Sequence, residues 1–60
     1  MASRKTLNLA ILKLRDINNT LYGKLHDCTS NEEIENIRNK ITKNESMILD
    51  FEFQLKNNDE

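Results

Sequence analysis

Apolar residues recur at helical spacing along two stretches of the chain that are nearly equal in length. Leu7, Leu14, Leu21 and Cys28 follow one another at intervals of seven in the first stretch, and Ile34, Ile41, Ile48 and Leu55 do so in the second. The companion positions hold Ala10, Ile11, Ile17 and Leu25 in the first stretch, and Ile37, Asn44 and Phe51 in the second. This pattern is typical of helices that pack against another helix along a coiled-coil seam.

The segment between the two stretches carries the signals of a helix boundary. Ser30 is a favourable N-cap, and Glu33, three residues later, completes a capping box. Ser3 is a suitable N-cap for the first helix. The chain has no proline and one glycine, which favours long uninterrupted helices. We therefore predict helix 1 over about residues 3–27, a turn over 28–30 and helix 2 over 31–57, in a single domain.

The predicted fold is all-α, an antiparallel hairpin of two long helices. Folding the chain about residue 29 places Leu21 near Ile37, Ile17 near Ile41 and Leu7 near Phe51. So short a chain buries only about 60% of the surface that its unfolded form exposes. We therefore expect hairpins to associate into a four-helix bundle or coiled coil, as a homodimer or a higher oligomer. The predicted bundle core comprises Leu7, Leu14, Ile17, Leu21, Ile34, Ile37, Ile41, Asn44, Ile48, Phe51 and Leu55.

Asn44 interrupts the apolar seam of helix 2. A buried asparagine at a seam position selects the register and the oligomeric state, at some cost in stability. The other interpretation places Asn44 at the edge of the bundle, where its side chain contacts water. The sequence leaves both interpretations open.

A second group of apolar residues lies off the seam. At about 100° per residue, each of its members falls well away from the core face of its own helix. Four of them lie at the open end of the hairpin, which is the end away from the turn. A cluster of exposed apolar side chains marks an interaction surface. The sequence predicts a protein interface formed by Leu9, Leu12, Met47, Leu49 and Phe53.

A polar stripe follows one edge of helix 1, beside the apolar seam. Its members are Arg4, Asn8, Arg15, Asn19, Tyr22 and His26. Arginine contacts phosphates, asparagine reaches ribose or base edges, and tyrosine stacks on bases, so the polar stripe is a candidate nucleic-acid contact. The other interpretation is a solvated flank.

The plan and size of the chain resemble those of Rop-type plasmid proteins, helical hairpins that dimerise into four-helix bundles and bind paired RNA loops. The resemblance is one of plan without shared sequence, so it assigns no functional residue.

The net charge of −1 conceals an asymmetry between the two halves. Residues 1–28 carry five basic and two acidic side chains, a net charge of +3, whereas residues 29–60 carry four basic and eight acidic ones, a net charge of −4. Opposite charges favour the pairing of helix 1 with helix 2, within or between chains. The acidic balance of the whole chain is unfavourable for phosphate binding. The abundance of Asn, Ile and Lys fits an AT-rich gene, such as one of a phage or plasmid.

Cys28 is the only cysteine, which excludes an intrachain disulfide and a thiolate metal cluster. We expect a reducing, cytoplasmic setting, in which Cys28 packs as a small hydrophobe. The alternative, an intermolecular disulfide, needs an oxidising compartment. No apolar run approaches the roughly 20 residues of a membrane span.

The sequence contains no motif of catalysis. Metal-binding, phosphate-binding and nucleophile motifs are absent, and His26 has no neighbours at metal-ligand spacing. We expect a non-enzymatic protein without metal or cofactor, acting as an adaptor, inhibitor or assembly factor whose partners are itself and another protein. The alternative is a Rop-like RNA-binding regulator that uses the polar stripe. A third hypothesis makes the hairpin a passive subunit of a larger coiled coil.

Overall fold

The structure, a computed structural model, describes residues 3–57. These residues form two helices, α1 over Arg4–Asp27 and α2 over Asn31–Asn57, joined by residues 28–30. The helices pack against each other as a hairpin of 46 × 14 × 14 Å, and the described part of the chain contains no strand. The predicted helical hairpin is confirmed, and its helix ends lie within one residue of those expected.

Capping interactions define where each helix begins and ends. The Oγ atom of Ser3 accepts a hydrogen bond from the backbone N–H of Thr6 at 3.2 Å. The carbonyl of Ser30 accepts from the N–H of Ile34 at 3.0 Å, which puts Ser30 at the N-cap position of α2. Cys28 ends α1, since its backbone N–H donates to a carbonyl of the preceding turn. Both predicted N-cap residues therefore stand immediately before their helices.

The core between the two helices is thin. Among the described residues, only four apolar side chains are buried: Leu7, Ile11, Ile41 and Ile48. Other seam residues are half-buried, because each helix has a single neighbour and the far side of its apolar stripe remains in water. The half-buried apolar seam residues are Ala10, Leu14, Leu21, Leu25, Cys28, Ile34, Ile37, Phe51 and Leu55.

An asparagine from each helix meets in the middle of this core. The Nδ2 atom of Asn44 donates to the Oδ1 atom of Asn18 at 2.9 Å. Asn18 is only 5% exposed, and Asn44 is half-buried. The hydrogen bond turns the Asn44 side chain toward α1 and gives each buried amide a partner, as buried polar groups require.

The Asn18–Asn44 hydrogen bond also identifies the register of the hairpin. Every step of three or four residues along α1 from Asn18 is matched by an equal step along α2 from Asn44, so seam residues meet in layers. Counted from this hydrogen bond, the layers place Leu7 level with Leu55, Ile11 with Phe51, Leu14 with Ile48, Leu21 with Ile41, Leu25 with Ile37, and Cys28 with Ile34.

The register expected from the sequence was wrong by about one helical turn. Leu21 lies level with Ile41 rather than with Ile37, and Leu7 lies level with the last turn of α2 rather than with Phe51. The physical reason is that folding about residue 29 treats the turn as the point of symmetry. The asparagine layer instead centres the hairpin close to residue 31.

Ile17 does not fill the seam of the hairpin. Its side chain is 49% exposed, and Asn18 is buried against α2 in its place. The reason lies in the spacing, because the companion positions on α1 run from Ile11 to Leu25 in steps of seven, which puts residue 18 inside. Ile17 is turned from this line by about 100°. Its place in the core of an assembled bundle stays a prediction.

Candidate interaction surface

The exposed apolar residues of α2 form one patch. Met47, Leu49 and Phe53 line a shallow hollow on this helix, together with Ser46 and Asp50. Their side chains are 36%, 65% and 66% exposed, respectively. The structure thus brings together three of the five predicted interface residues, which we call the α2 patch.

The other two predicted interface residues lie on α1. Leu9 and Leu12 are 51% and 61% exposed and stand three residues apart, on adjacent turns of one helix face. We call this pair the α1 patch. Leu9 precedes Asn18 by nine residues and Phe53 follows Asn44 by nine, so both lie at the same height in the hairpin. The two patches therefore share the open end but occupy different helices.

A groove of about 580 Å³ runs between the helices on one side of the hairpin. It brings together three of the six residues of the polar stripe and one residue of the α2 patch. The lining residues are Arg15, Asn18, Asn19, Tyr22, Glu45, Ile48 and Leu49. The remaining stripe residues, Arg4, Asn8 and His26, are exposed along α1 and do not line it.

Two side chains of the polar stripe, those of Arg15 and Tyr22, form hydrogen bonds with carboxylates of α2. Arg15 Nη2 donates to Glu52 Oε2 at 2.8 Å. The hydroxyl of Tyr22 donates to Glu45 Oε2 at 3.3 Å. The negative charge of Glu45 raises the pKa of Tyr22, and partial burial and the hydrogen bond add to this effect. These acidic partners, which the sequence pattern did not predict, lower the affinity of this face for phosphate.

Cys28 lies half-buried at the turn. Its Sγ atom donates a hydrogen bond to Glu33 Oε2 at 3.4 Å. Burial raises the pKa of the Cys28 thiol, and the hydrogen bond and charge of Glu33 raise it further. Burial and the Glu33 carboxylate therefore both favour the protonated, less reactive form of this thiol.

Among residues 3–57, no group of three or more His, Cys, Asp or Glu side chains is placed to hold a metal ion. Within the same residues, neither helix combines the length and the apolar character needed to cross a membrane.

No protein-family model, curated protein or solved structure matches this chain.

Proposed function

We propose that the chain is a small, non-enzymatic protein-interaction module, an adaptor, inhibitor or assembly factor that acts through the surface of a helical bundle. The observation that carries the proposal is the imbalance between buried and exposed apolar residues. Within residues 3–57, four apolar side chains are buried, while Leu9, Leu12, Leu49 and Phe53 are each more than half exposed.

The energetics of burial favour this proposal. Full burial of a large apolar side chain contributes roughly 1.5–3 kcal/mol relative to leaving it in water. A two-helix hairpin with so thin a core has little stability to spare against the conformational entropy that folding costs. Contact with another helical surface supplies the missing burial, because most of the exposed large apolar side chains lie on the open-end side of the asparagine layer.

The test is a double substitution in the two patches. Leu12→Glu with Phe53→Glu puts a charge into each patch without touching the seam. We expect the helicity of the variant, measured by circular dichroism, to remain, while association with itself or with a protein partner is lost. A matched control places the same charges at exposed positions on the turn side of the asparagine layer, as Thr20→Glu with Asn39→Glu, and keeps association.

Sedimentation equilibrium, with helicity followed over the same dilution series, is the measurement. Unchanged assembly in the patch variant would contradict the proposal. A wild-type chain that is mostly unfolded as a monomer would place the missing part of the core on a different protein, as expected for a subunit of a larger coiled coil.

A nucleic-acid regulator is the second candidate, because the groove gathers Arg15, Asn19 and Tyr22 on one side of the hairpin. This function predicts RNA binding that weakens with rising salt and with Arg15→Ala. The carboxylates paired to Arg15 and Tyr22 favour the protein-interaction function instead. RNA binding that is insensitive to salt and to Arg15 would exclude the nucleic-acid function.

A further inference from the structure

We propose that the occupant of the two patches is a second copy of this chain, docked with both turns at the same end. In this dimer, α1 of each copy lies antiparallel against α2 of the other copy. The inference rests on the proposed interaction function and deepens it, because it names the partner and the orientation. Three observations support it: the heights of the patches, their common side and the charges beside them.

The heights of the patches match between α1 and α2. Leu9 and Phe53 each lie nine residues from the asparagine layer, roughly 14 Å along the axis at 1.5 Å per residue. Leu12 lies six residues and Leu49 five residues from it, a difference of roughly 1.5 Å. When the turns share an end, Leu12 lies level with Leu49 of the other copy, and Leu9 lies level with its Phe53.

Each patch reaches the side of the hairpin on which the groove opens through one leucine, Leu12 on α1 and Leu49 on α2. Leu49 lines the groove together with Arg15. Leu12 precedes Arg15 by three residues, and Phe53 follows Leu49 by four, so each shares a helix side with a groove residue. A second hairpin placed over this side contacts Leu12 and Leu49 at once, and a two-fold axis along the hairpin repeats this contact.

Charge complementarity favours the packing of α1 of one copy against α2 of the other copy. Helix α1 carries five basic and two acidic side chains, a net charge of +3, whereas α2 carries four basic and six acidic ones, a net charge of −2. On the groove side, Arg15 stands on α1, and Glu45 and Glu52 stand on α2. With the turns at one end, Arg15 approaches Glu45 of the other copy, two residues away in height, so opposite charges meet.

The alternative, a head-to-tail dimer with the two turns at opposite ends, matches neither the charges nor the heights of the apolar residues. A two-fold axis through the asparagine layer, perpendicular to the hairpin, sets α1 over α1 and α2 over α2, so that helices of like net charge face each other. Leu12 then lies opposite Lys24 of the other copy, and Leu9 lies opposite its Asp27. Exposed apolar side chains would face charged ones, which leaves them poorly covered.

The orientation is tested by a distance between two turns. Thr29→Cys in a Cys28→Ser background gives one exposed site at the turn for a nitroxide label, and pulsed electron spin resonance measures the distance between copies. We expect roughly 10–25 Å, one to two helix diameters. A distance near the 46 Å length of the hairpin would identify the head-to-tail dimer and overturn the orientation.

The contact itself is tested by mixing two single variants. Leu12→Glu and Leu49→Lys should each weaken self-association by about tenfold or more, because each buries charge against leucine. In the mixed dimer, one contact joins Glu to Lys and the other keeps both leucines, so association returns toward the wild-type value. Absence of rescue between two helical variants would exclude the α1–α2 contact.

The outcomes separate this inference from the function on which it rests. A folded wild-type chain that stays monomeric at every concentration overturns the second copy as occupant. Suppose that the Leu12→Glu with Phe53→Glu variant loses association, while the labelled chain with intact patches shows the long distance between turns. This result overturns the orientation and leaves the interaction function supported. Association that survives the double substitution counts against both.

Discussion

The side-chain amides of Asn18 and Asn44 meet 2.9 Å apart, with three apolar layers toward the turn and three toward the open end. Each amide is the partner that makes burial of the other tolerable. The pair is therefore satisfied as a unit, and its two halves are not independent contributions to stability.

Replacing one member of this pair should cost more than replacing both. Asn18→Leu leaves the Asn44 amide without its partner and should lower the free energy of unfolding by about 1–3 kcal/mol. Asn18→Leu with Asn44→Leu removes both amides and should restore the wild-type value or exceed it. Urea unfolding, followed by circular dichroism, measures the free energy of unfolding of the wild type, of each single Asn→Leu variant and of the double variant. Costs that simply add would show that the two amides are uncoupled.

The same double substitution should broaden the range of oligomers. An all-apolar seam no longer penalises alternative registers and partners, since a buried polar layer is what discriminates between them. Sedimentation velocity should resolve several species for the double variant. A single sharp species identical to the wild type would mean that the apolar layers and the turn specify the assembly without the asparagines.

The Arg15–Glu52 ion pair should contribute little to stability. The side chains are 58% and 42% exposed, and exposed pairs of this kind contribute about 0.2–1 kcal/mol. Arg15→Ala and Glu52→Ala should therefore each change the free energy of unfolding only slightly, and less so in high salt. A coupling well above this range in a double-mutant cycle would indicate that assembly buries the pair.

The ionisation of Tyr22 reports on Glu45. The nearby carboxylate raises the pKa of the phenol, so Glu45→Gln should lower that pKa toward the ordinary value of tyrosine. Tyr22 is the only tyrosine and the chain has no tryptophan, so an absorbance titration of phenolate formation reads this one group. An unchanged pKa in Glu45→Gln would show that the Glu45 carboxylate does not lie close to the phenol in solution.

Cys28 should react slowly with alkylating reagents at neutral pH. Burial and the Glu33 carboxylate raise its pKa, so the thiolate appears only at a higher pH than for a free cysteine. The raised pKa contributes stability that is present below the unfolded-state pKa and is lost as the pH rises through the folded-state pKa. Glu33→Gln should accelerate alkylation, whereas Glu35→Gln, in the same first turns of α2, serves as the control. Equal rates in both variants would remove Glu33 from this role.

The helices were predictable because their signals are local. Ser3 and Ser30 are effective caps, and the absence of proline leaves nothing to interrupt either stripe. The register was not predictable in the same way, because it depends on which residues of two distant segments meet. Asn18 was the available clue, since it stands midway between Ile11 and Leu25 at seam spacing. Because Asn18 is polar, the apolar Ile17 was assigned to the seam instead.

The exposed patches were predictable from angle alone, since leucines and a phenylalanine far from the seam have nowhere to be buried in a two-helix fold. Their grouping was not. The hollow joins Met47 to Leu49 and Phe53 but leaves the α1 patch on the other helix. The acidic partners of Arg15 and Tyr22 depend on the register and so were also hidden from a one-dimensional pattern.

The thin core has a calorimetric consequence. The heat capacity change of unfolding comes mainly from apolar surface that becomes hydrated, and a single hairpin hides little of it between two helices. Alone, it should melt over a wide temperature range with a small enthalpy. When a second hairpin covers the patches, more apolar surface leaves water, so the melting transition sharpens and shifts upward with protein concentration. The steepness of the melting transition thus reports the size of the cooperative unit, that is, the number of hairpins that unfold together.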